Sequence, residues 1–358
     1  MNKFTITIQT LTPLWTGDVK RKCDTLKLTG LLGSLRWWFE ALVRGIGYKA
    51  CDSTGEKCEL KLEKPTDLQD IMQKLCPACF LFGTTGWKKR FWVEEKKKEL
   101  MEIPLIVFGT RKKRKGKYLS RTCRGIQGEI ELYVHFNNSK KIYNFLLLET
   151  IKVVSQWGML GAQIAQGNGT IFSKIHPQYT IHSFESLPKT RFQRHCENCP
   201  DFRNFKFLKF QITFKNDIKG IAKFIWRKNN DDNRKLSGNI KKLWENFGFL
   251  PIAFHLRDLL RQNLWRNNKD RRHKMLGKMG FGSRVFVSHA YKISDNTVEI
   301  RIFGYDFQKN GWENIKTSIS NVSLLNQFLV NNNPLVAGVN IELETTGKEI
   351  IKSFLRSE

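Results

Sequence analysis

The chain has 358 residues, 41% of them hydrophobic, so it can bury a large core and should form one large or two ordinary domains. Its 61 Lys and Arg residues against 33 Asp and Glu give a formal net charge of +28, which favours a polyanionic partner, nucleic acid ahead of an anionic membrane surface. No run reaches the roughly 18 apolar residues of a membrane helix, and the N-terminus lacks a secretory signal, so we expect a soluble, cytoplasmic protein.

The chain opens with a strand, a basic loop and a helix. Alternating apolar residues over 3–11 predict a half-buried strand, and a polar, basic loop spans 15–25. Apolar residues then change to helical spacing, so 26–48 should contain an amphipathic helix entered through a glycine turn at Gly30. The cations near the start of this helix are Lys27 and Arg36. Because helix N-termini attract anions, we expect phosphate to bind here.

Four of the eight cysteines suggest a metal site in the segment 49–82. A C-x-x-C pair presents two thiolates to one tetrahedral ion, and a second pair closes the site. The sequence therefore predicts a structural zinc ion held by Cys51, Cys58, Cys76 and Cys79. Cys196 and Cys199 form another C-x-x-C after His195, which could be a second half-site, lend a ligand to the first or consist of free thiols. Cysteines of an intracellular protein favour metal or reduced thiols over disulfides.

Basic and glycine-rich stretches follow the cysteines. Basic and aromatic residues alternate at Trp87, Lys88, Lys89 and Arg90. Two glycine-rich loops, 158–169 and 277–282, could let backbone N–H groups approach phosphates. Neither matches a Walker loop or a dinucleotide fingerprint. A tight-turn role is the alternative, especially for the first loop, which has no Arg or Lys. The cations that flank the second loop are Lys278 and Arg284.

Strands, helices and a glycine-rich loop occur in the same order in both halves of the chain. The polar segment 176–203, which contains three prolines, is interpreted as a linker or irregular arm. The predicted domains are therefore 1–175, with a cysteine-containing insertion at about 49–82, and 204–358. Strands and helices mixed with antiparallel returns favour α+β units of the split βαβ type, whose open sheet faces suit RNA.

The sequence gives little support for catalysis. None of the seven histidines lies in a nucleophile elbow or an H-E-x-x-H motif. His273, in the basic run 266–274, could act as a general base on an RNA 2′-OH, although a phosphate-contacting or solvated histidine is the simpler interpretation. Asp18 could likewise assist cleavage of a bound strand. We therefore expect a protein that is not an enzyme.

Several motifs occur together in the N-terminal half. They are LTPLWTG at 11–17, KLTGLLGSLRWW at 27–38, CPACFLFGTTGW at 76–87 and WGMLGA at 157–162, with a weaker counterpart from Gly280 to Ser288. This combination resembles the RAMP superfamily of CRISPR proteins and, within it, the Cmr complex subunit one family of type III-B effectors. Residues 163–166 depart from the family pattern, because basic residues are usual there.

The resemblance implies two ferredoxin-like (RRM-like) domains and a non-catalytic subunit at one end of an RNA-guided antiviral complex. This subunit would hold the 3′ part of the guide RNA and its duplex with target RNA, beside other RAMP subunits. The alternative is a metal-independent endoribonuclease that processes CRISPR precursor RNA with His273 or another histidine as base. The predicted RNA-binding residues are Lys20, Arg21, Lys27, Arg36, Trp37, Trp87, Lys88, Lys89, Arg90, Arg271, Arg272 and Arg284.

Overall fold

A computed structural model describes residues 3–17, 23, 25–52, 58–61, 67–112, 118–137, 140–177, 187, 196, 199–222, 224–225, 233–278, 282–308, 310–330 and 332–355. The elements of the first unit are β1 (Lys3–Thr10), α1 (Leu28–Gly45), α2 (Leu68–Lys74), α3 (Pro77–Phe82), β2 (Phe91–Lys112), β3 (Tyr118–Phe136), α4 (Lys141–Trp157) and β4 (Ile171–His176).

The first unit is built on an antiparallel sheet in the strand order β2-β3-β1-β4. Along β1 every second side chain is buried, as the alternating sequence predicts. Phe4, Ile6 and Ile8 pack in one core cluster with Trp38 and Phe39 of α1. The apolar faces of α1 and α4 therefore cover one side of the sheet. The polar residues that alternate with the buried ones along β1 lie on the other side.

The second unit also has an antiparallel sheet, in the order β10-β5-β9-β8-β6, with β7 pairing to β9. Its elements are β5 (Lys206–Phe214), α5 (Ile218–Ile221), α6 (Asn233–Phe247), β6 (Phe249–Leu250), α7 (Ala253–Asn263), α8 (Lys269–Leu276), β7 (Val285–Val287), β8 (Ala290–Lys292), β9 (Thr297–Gly304), α9 (Gly311–Ser320), α10 (Val322–Leu329), β10 (Val336–Thr346) and α11 (Gly347–Leu355). A second hydrophobic core lies between this sheet and its helices. The prediction of an α+β fold with antiparallel sheets is confirmed.

The two units contact one another through buried polar and aromatic groups. The Arg301 guanidinium donates to the carbonyls of Ser155 (2.7 Å) and Gly158 (3.3 Å) at the end of α4. The His289 N–H donates to the carbonyl of Gly167 (2.8 Å). The C-terminal helix α11 returns to the first unit, where its apolar residues join the first core. The predicted domain bounds 1–175 and 204–358 stay a prediction, and most of the predicted arm lies outside the described residues.

Two local predictions were wrong. Helix α1 begins at Leu28, so Gly30 lies in its first turn and does not form a separate turn before it. A Cβ atom at Gly30 would lie 2.4 Å from the Thr16 carbonyl oxygen, so the glycine permits a close approach of backbones. The strands β2 and β3, with 22 and 19 residues, are also far longer than the strands that the sequence pattern predicts at 103–108 and 126–136. Within the described residues, no helix is long and apolar enough to cross a membrane.

Candidate metal centre and nucleic-acid interface

Four buried cysteines meet at one point beside α1. Cys76 and Cys79 lie at the start of α3, and the other two come from the loop before α2. The sulfur atoms of Cys51, Cys58, Cys76 and Cys79 all lie within 4.8 Å of one another. The Sγ–Sγ distance is 3.2 Å between Cys51 and Cys79 and 3.6 Å between Cys51 and Cys76. Tetrahedral zinc–thiolate geometry places sulfurs about 3.8 Å apart, so the cluster fits a metal ion and the predicted pairing of the four cysteines is confirmed.

Backbone and side-chain donors point at these sulfurs. The N–H groups of Cys76 and Cys79 donate to Cys58 Sγ and Cys76 Sγ, each at 3.4 Å. Hydrogen bonds with the other three cysteines lower the pKa of Cys79, and the positive charge of Arg36 lowers it further. Hydrogen bonds with Cys51 raise the pKa of Cys58 and Cys76, so the four thiols do not all ionise together. Thiolates, not thiols, bind metal, and a bound cation would hold all four in the thiolate form. Zinc bound to four thiolates would carry two negative charges, which the donors would stabilise.

Arg36 is part of this centre. Its Nη2 donates to Cys79 Sγ (3.0 Å), its Nη1 to the Gly83 carbonyl (2.9 Å) and its Nε to Glu40 Oε1 (2.8 Å). Only 11% of the side chain is exposed. Helical spacing could not show that the guanidinium turns toward the cysteine loop, and the phosphate contact of Arg36 stays a prediction.

The second C-x-x-C lies on the other side of Arg44. Cys196 and Cys199 form a disulfide, contrary to the expectation of reduced thiols. Arg44 donates to the carbonyl of Cys51 (2.7 Å) and to that of Pro200 (3.0 Å), so it links the two cysteine segments through their backbones. The two sulfurs lie near Asp52 and not within the cluster of four. His195 lies outside the described residues.

The second unit contains a basic pocket between α8, β7 and the end of β9. The cavity has a volume of about 410 Å³. Its lining residues are Asp270, His273, Lys274, Lys278, Gly282, Arg284 and Tyr305. Arg284 pairs with Asp306, and Lys274 Nζ lies 3.3 Å from the same carboxylate. Three cations therefore face two carboxylates, and the pocket has the charge and the size for a phosphate group with its sugar.

Buried groups that the sequence did not indicate fix the shape of this pocket. Arg257 of α7 donates to the carbonyls of Leu276 (2.6 Å) and Val285 (2.9 Å), on either side of the glycine-rich loop. Ser283 Oγ donates to the Met275 carbonyl (3.1 Å). Arg257 is 7% exposed, so it acts as an internal brace. A single arginine in an amphipathic helix carries no sequence signal for such a role.

Among the described lining residues of the pocket, Arg284 is the one that belongs to the predicted RNA-binding set. Arg271 and Arg272 lie on α8 next to His273 but do not line the cavity. Burial, together with the charges of Lys278 and Arg272, lowers the pKa of His273. Lys274 and Lys278, which were not in the predicted set, are the other cations of the pocket. Gly280 lies outside the described residues.

The predicted residues of the first unit are dispersed. Lys27 is the exposed N-cap residue of α1, and Lys88 and Lys89 are exposed in the turn before β2. Arg90 lies over the Trp87 ring at 4.9 Å, and the ring stacks on Phe80. Lys20, Arg21 and Asp18 lie outside the described residues. Among the described residues, these cations therefore belong to two different elements, the start of α1 and the turn before β2.

Trp37 packs at the contact between the two units. Its ring contacts Trp38, Phe205, Phe286 and Tyr305 at centroid distances of 5.1–6.5 Å. The side chain is half-buried, and RNA binding by Trp37 stays a prediction. A paired Trp-Trp at a helix start does not reveal which ring a second domain will cover.

The first glycine-rich loop is packed against the chain and does not form a phosphate cradle. The Gly161 N–H donates to Ser34 Oγ (2.9 Å), and the Gly169 N–H donates to the Pro13 carbonyl (2.8 Å). A Cβ atom at Gly167 would lie 2.4 Å from the Ala253 side chain. The tight-packing alternative therefore describes this loop.

Residues 7–172 match the sequence model of the RAMP superfamily, so the predicted resemblance to that superfamily is confirmed. No curated protein matches the chain. Similar solved structures include Cmr1 from Pyrococcus furiosus, with 10% identity, 86% of this chain and 89% of that chain covered, and a TM-score of 0.38. A chain of the type III-B Cmr-beta complex bound to cognate target RNA and AMPPnP is 10% identical to this chain. The match covers 89% of this chain and 98% of that chain, with a TM-score of 0.40. A chain of a type IV-B CRISPR complex is 15% identical to this chain. The match covers 52% of this chain and 94% of that chain, with a TM-score of 0.35.

Proposed function

We propose that this chain, whose residues 7–172 match the sequence model of the RAMP superfamily, is a non-catalytic RNA-binding subunit of a type III-B CRISPR effector. It would hold the 3′ part of the guide RNA, or its duplex with target RNA, beside other RAMP subunits. The basic pocket between α8, β7 and β9 carries this proposal, because Lys274, Lys278 and Arg284 surround one cavity there. The net charge of +28 supports a polyanionic partner.

The proposed fold of such a subunit is two ferredoxin-like units. The element order β1-α1-β2-β3-α4-β4 and the strand order of the first sheet are those of a split βαβ unit. In the second sheet, β10, β5 and β9 occupy the corresponding positions, with β7 and β8 sharing the fourth. Both units would then present helices on one face and strands on the other.

Salt dependence tests RNA binding through the pocket. The affinity of the purified protein for a single-stranded RNA is measured between about 50 and 300 mM salt. Each phosphate contact contributes a slope of about −0.7 to the plot of log K against log salt for a single strand. The double variant Lys274→Ala, Lys278→Ala should bind more weakly and flatten the slope by about 1 to 1.5.

A matched control removes the same charge elsewhere. Lys241 and Lys242 are exposed on α6, outside the pocket. The double variant Lys241→Ala, Lys242→Ala should keep the wild-type slope. Equal effects of the two double variants would contradict binding at the pocket, and wild-type affinity that does not change with salt would contradict the proposed function.

The endoribonuclease alternative rests on His273, which lines the same pocket as the cations. An enzyme of this kind would cut precursor RNA at defined positions in EDTA, and His273→Ala would abolish the cleavage without reducing affinity more than a few-fold. A non-catalytic subunit leaves the RNA intact under those conditions. If the wild type cuts precursor RNA at defined positions and His273→Ala does not, the protein is an endoribonuclease.

The four-cysteine cluster is proposed to hold a structural zinc ion, with Cys51, Cys58, Cys76 and Cys79 as ligands. Bound zinc would join the loop before α2 to the start of α3. Protein purified without added metal should contain about one zinc equivalent, and Cys79→Ser should lower that content to near zero. Less than about half an equivalent in the wild type would count against the site.

A further inference from the structure

The polar face of the first sheet carries a preorganised pair of rings. Trp92 of β2 and His135 of β3 are directly opposite in the strand register. Their rings are 4.8 Å apart and nearly parallel, with an interplanar angle of 2°. Glu94 lies beside both rings: its Oε1 accepts from Trp92 Nε1 (3.0 Å), and its Oε2 lies 3.2 Å from His135 Nε2, where an ion pair forms when the imidazole is protonated. Trp92 is nevertheless 40% exposed, so its outer face is open.

Further rings on this face are associated with lysines. Lys3 Nζ lies 3.4 Å from the centre of the Tyr133 ring, and Lys96 Nζ lies 5.2 Å from it. On the edge strand β4, Lys174 Nζ lies 6.0 Å from the centre of the Phe172 ring, which is 44% exposed. Each of these two rings therefore has an ammonium group at its side.

The charges of this face nearly cancel one another. Lys96 pairs with Glu131 (2.7 Å), and Lys97 pairs with Glu99 (2.7 Å). The face is thus unlike the basic pocket of the second unit, although the chain as a whole carries +28. A ligand held here would gain little from charge attraction and most from contact with the exposed rings.

The two exposed rings are far enough apart for different nucleotides. Through the strand pairing, Trp92 of β2 is level with Lys3 of β1, and Phe172 of β4 is level with Gln9 of β1. Six residues along the strand and three strand spacings separate them by about 25 Å. A single base cannot contact both rings, whereas an extended strand that crosses the sheet diagonally can.

We propose that the polar face of the first sheet binds unpaired bases of a single-stranded RNA, with one base stacked on Trp92 and another on Phe172. Four-stranded sheets of this kind bind RNA by stacking bases on exposed aromatic rings, and such stacking tolerates any base because each has a π-face. Lys3, Lys96 and Lys174 would lie beside the adjoining phosphates. This inference rests on the proposed RNA-binding function and adds a second, uncharged mode of contact to it.

The test compares an ordinary RNA 12-mer with an abasic 12-mer of the same length, which keeps the phosphates and lacks the bases. The double variant Trp92→Ala, Phe172→Ala should bind the ordinary strand about tenfold or more weakly, the effect expected for lost base stacking. Its affinity for the abasic strand and its salt slope should equal those of the wild type. The variant Trp92→Phe should restore most of the lost affinity, because it keeps an aromatic face.

Met101→Ala is the matched control, because Met101 is also an apolar side chain of β2 and is 55% exposed. It should leave both affinities unchanged. Equal affinity of the double variant and the wild type for the ordinary strand, while Lys274→Ala, Lys278→Ala still weakens binding, would overturn the stacking proposal and leave the proposed function standing. The face would then be free for a protein partner. A wild type that binds neither strand would contradict the proposed function itself.

Discussion

Buried arginines position much of this molecule at the scale of single residues. Arg36 braces the cysteine cluster, Arg257 braces the loop of the basic pocket, and Arg301 joins the two units. Each uses its planar set of donors to satisfy carbonyls or sulfur that water cannot reach. Part of the positive charge of this protein is thus structural, and only the exposed lysines and arginines can contact RNA.

The first prediction concerns the brace under the basic pocket. Arg257→Met keeps an apolar stem but leaves the Leu276 and Val285 carbonyls without their donor. Removing one partner of buried, charge-assisted bonds should lower the free energy of unfolding by about 3 kcal/mol. RNA affinity should fall as well, since the loop that carries Lys278 and Arg284 loses its anchor. Chemical denaturation and RNA titration measure both effects.

The control for this prediction lies on the same helix. Arg261 is more exposed and pairs with Asp258 one turn earlier. Exposed pairs contribute only about 0–1 kcal/mol, so Arg261→Met should change stability and affinity little. Similar losses in both variants would mean that the helix as a whole, and not the Arg257 contacts, controls the pocket.

The second prediction concerns His289, which is completely buried between the units. Burial lowers the pKa of His289 to about 3, from an ordinary value of 6.5. Between pH 6.5 and 3, His289 is therefore protonated in the unfolded chain and neutral in the folded chain. The free energy of unfolding decreases as the pH falls through this range.

His289→Gln keeps an acceptor for the Ala253 N–H, which donates to His289 Nδ1 at 3.3 Å. Below pH 6.5, the unfolding free energy of this variant should fall less steeply than that of the wild type, by up to about 1.4 kcal/mol per pH unit. Parallel pH profiles for the two proteins would show that His289 is not the group responsible.

At the scale of elements, helix α1 organises the first unit and shows what sequence patterns can and cannot reveal. Its apolar spacing correctly predicted a helix that ends near Gly45. The pattern does not reveal where the helix begins. A glycine at position 30 suggests a turn, whereas Gly30 allows a close contact between α1 and the Thr16 carbonyl. Spacing within a helix records its buried face but not the distant backbone that its first turn touches.

The cysteine cluster shows the same division. The spacing of four cysteines identified the members of the cluster, and Asp67, a residue type typical of helix N-caps, caps α2. Both signals are local in the chain. The place of Arg36 in the cluster depends on the path of a loop about 45 residues further on, and helical periodicity contains no such information.

The third prediction uses two glycines of α1. Gly30→Ala should destabilise the protein by about 2 kcal/mol or more, because the new methyl group would lie 2.4 Å from the Thr16 carbonyl oxygen. Gly33→Ala on the same helix meets no atom within 4 Å. It should stabilise the protein by about 0.5–1 kcal/mol through helix propensity. Thermal denaturation of both variants checks the opposite signs.

At the scale of the whole molecule, the two units are one body, because aromatic and polar contacts interlock between them. Trp38 of α1 packs on Phe303 of β9 with ring centres 5.1 Å apart, and α11 closes on the first core. The repeated order of elements in the sequence predicts two units. It could not show that they share a core, because contacts between distant segments leave no periodic pattern.

The fourth prediction tests this union. Arg301→Met removes the donor from the Ser155 and Gly158 carbonyls in a fully buried site. It should lower the unfolding free energy by about 3 kcal/mol and weaken the coupling of the units, so that one calorimetric transition separates into two. Arg203→Met, which alters an exposed pair with Asp201, should preserve a single transition at nearly the wild-type temperature.

Strand β2 forms the outer border of the first sheet, and its 22 residues leave a long row of peptide groups at that border. Such borders recruit strands from other molecules and seed filaments unless charge keeps them apart. The run from Glu94 to Glu99 places three consecutive lysines between glutamates at this position. Chemical acetylation of these lysines should therefore make the isolated protein prone to fibril growth, which dye binding and light scattering would detect.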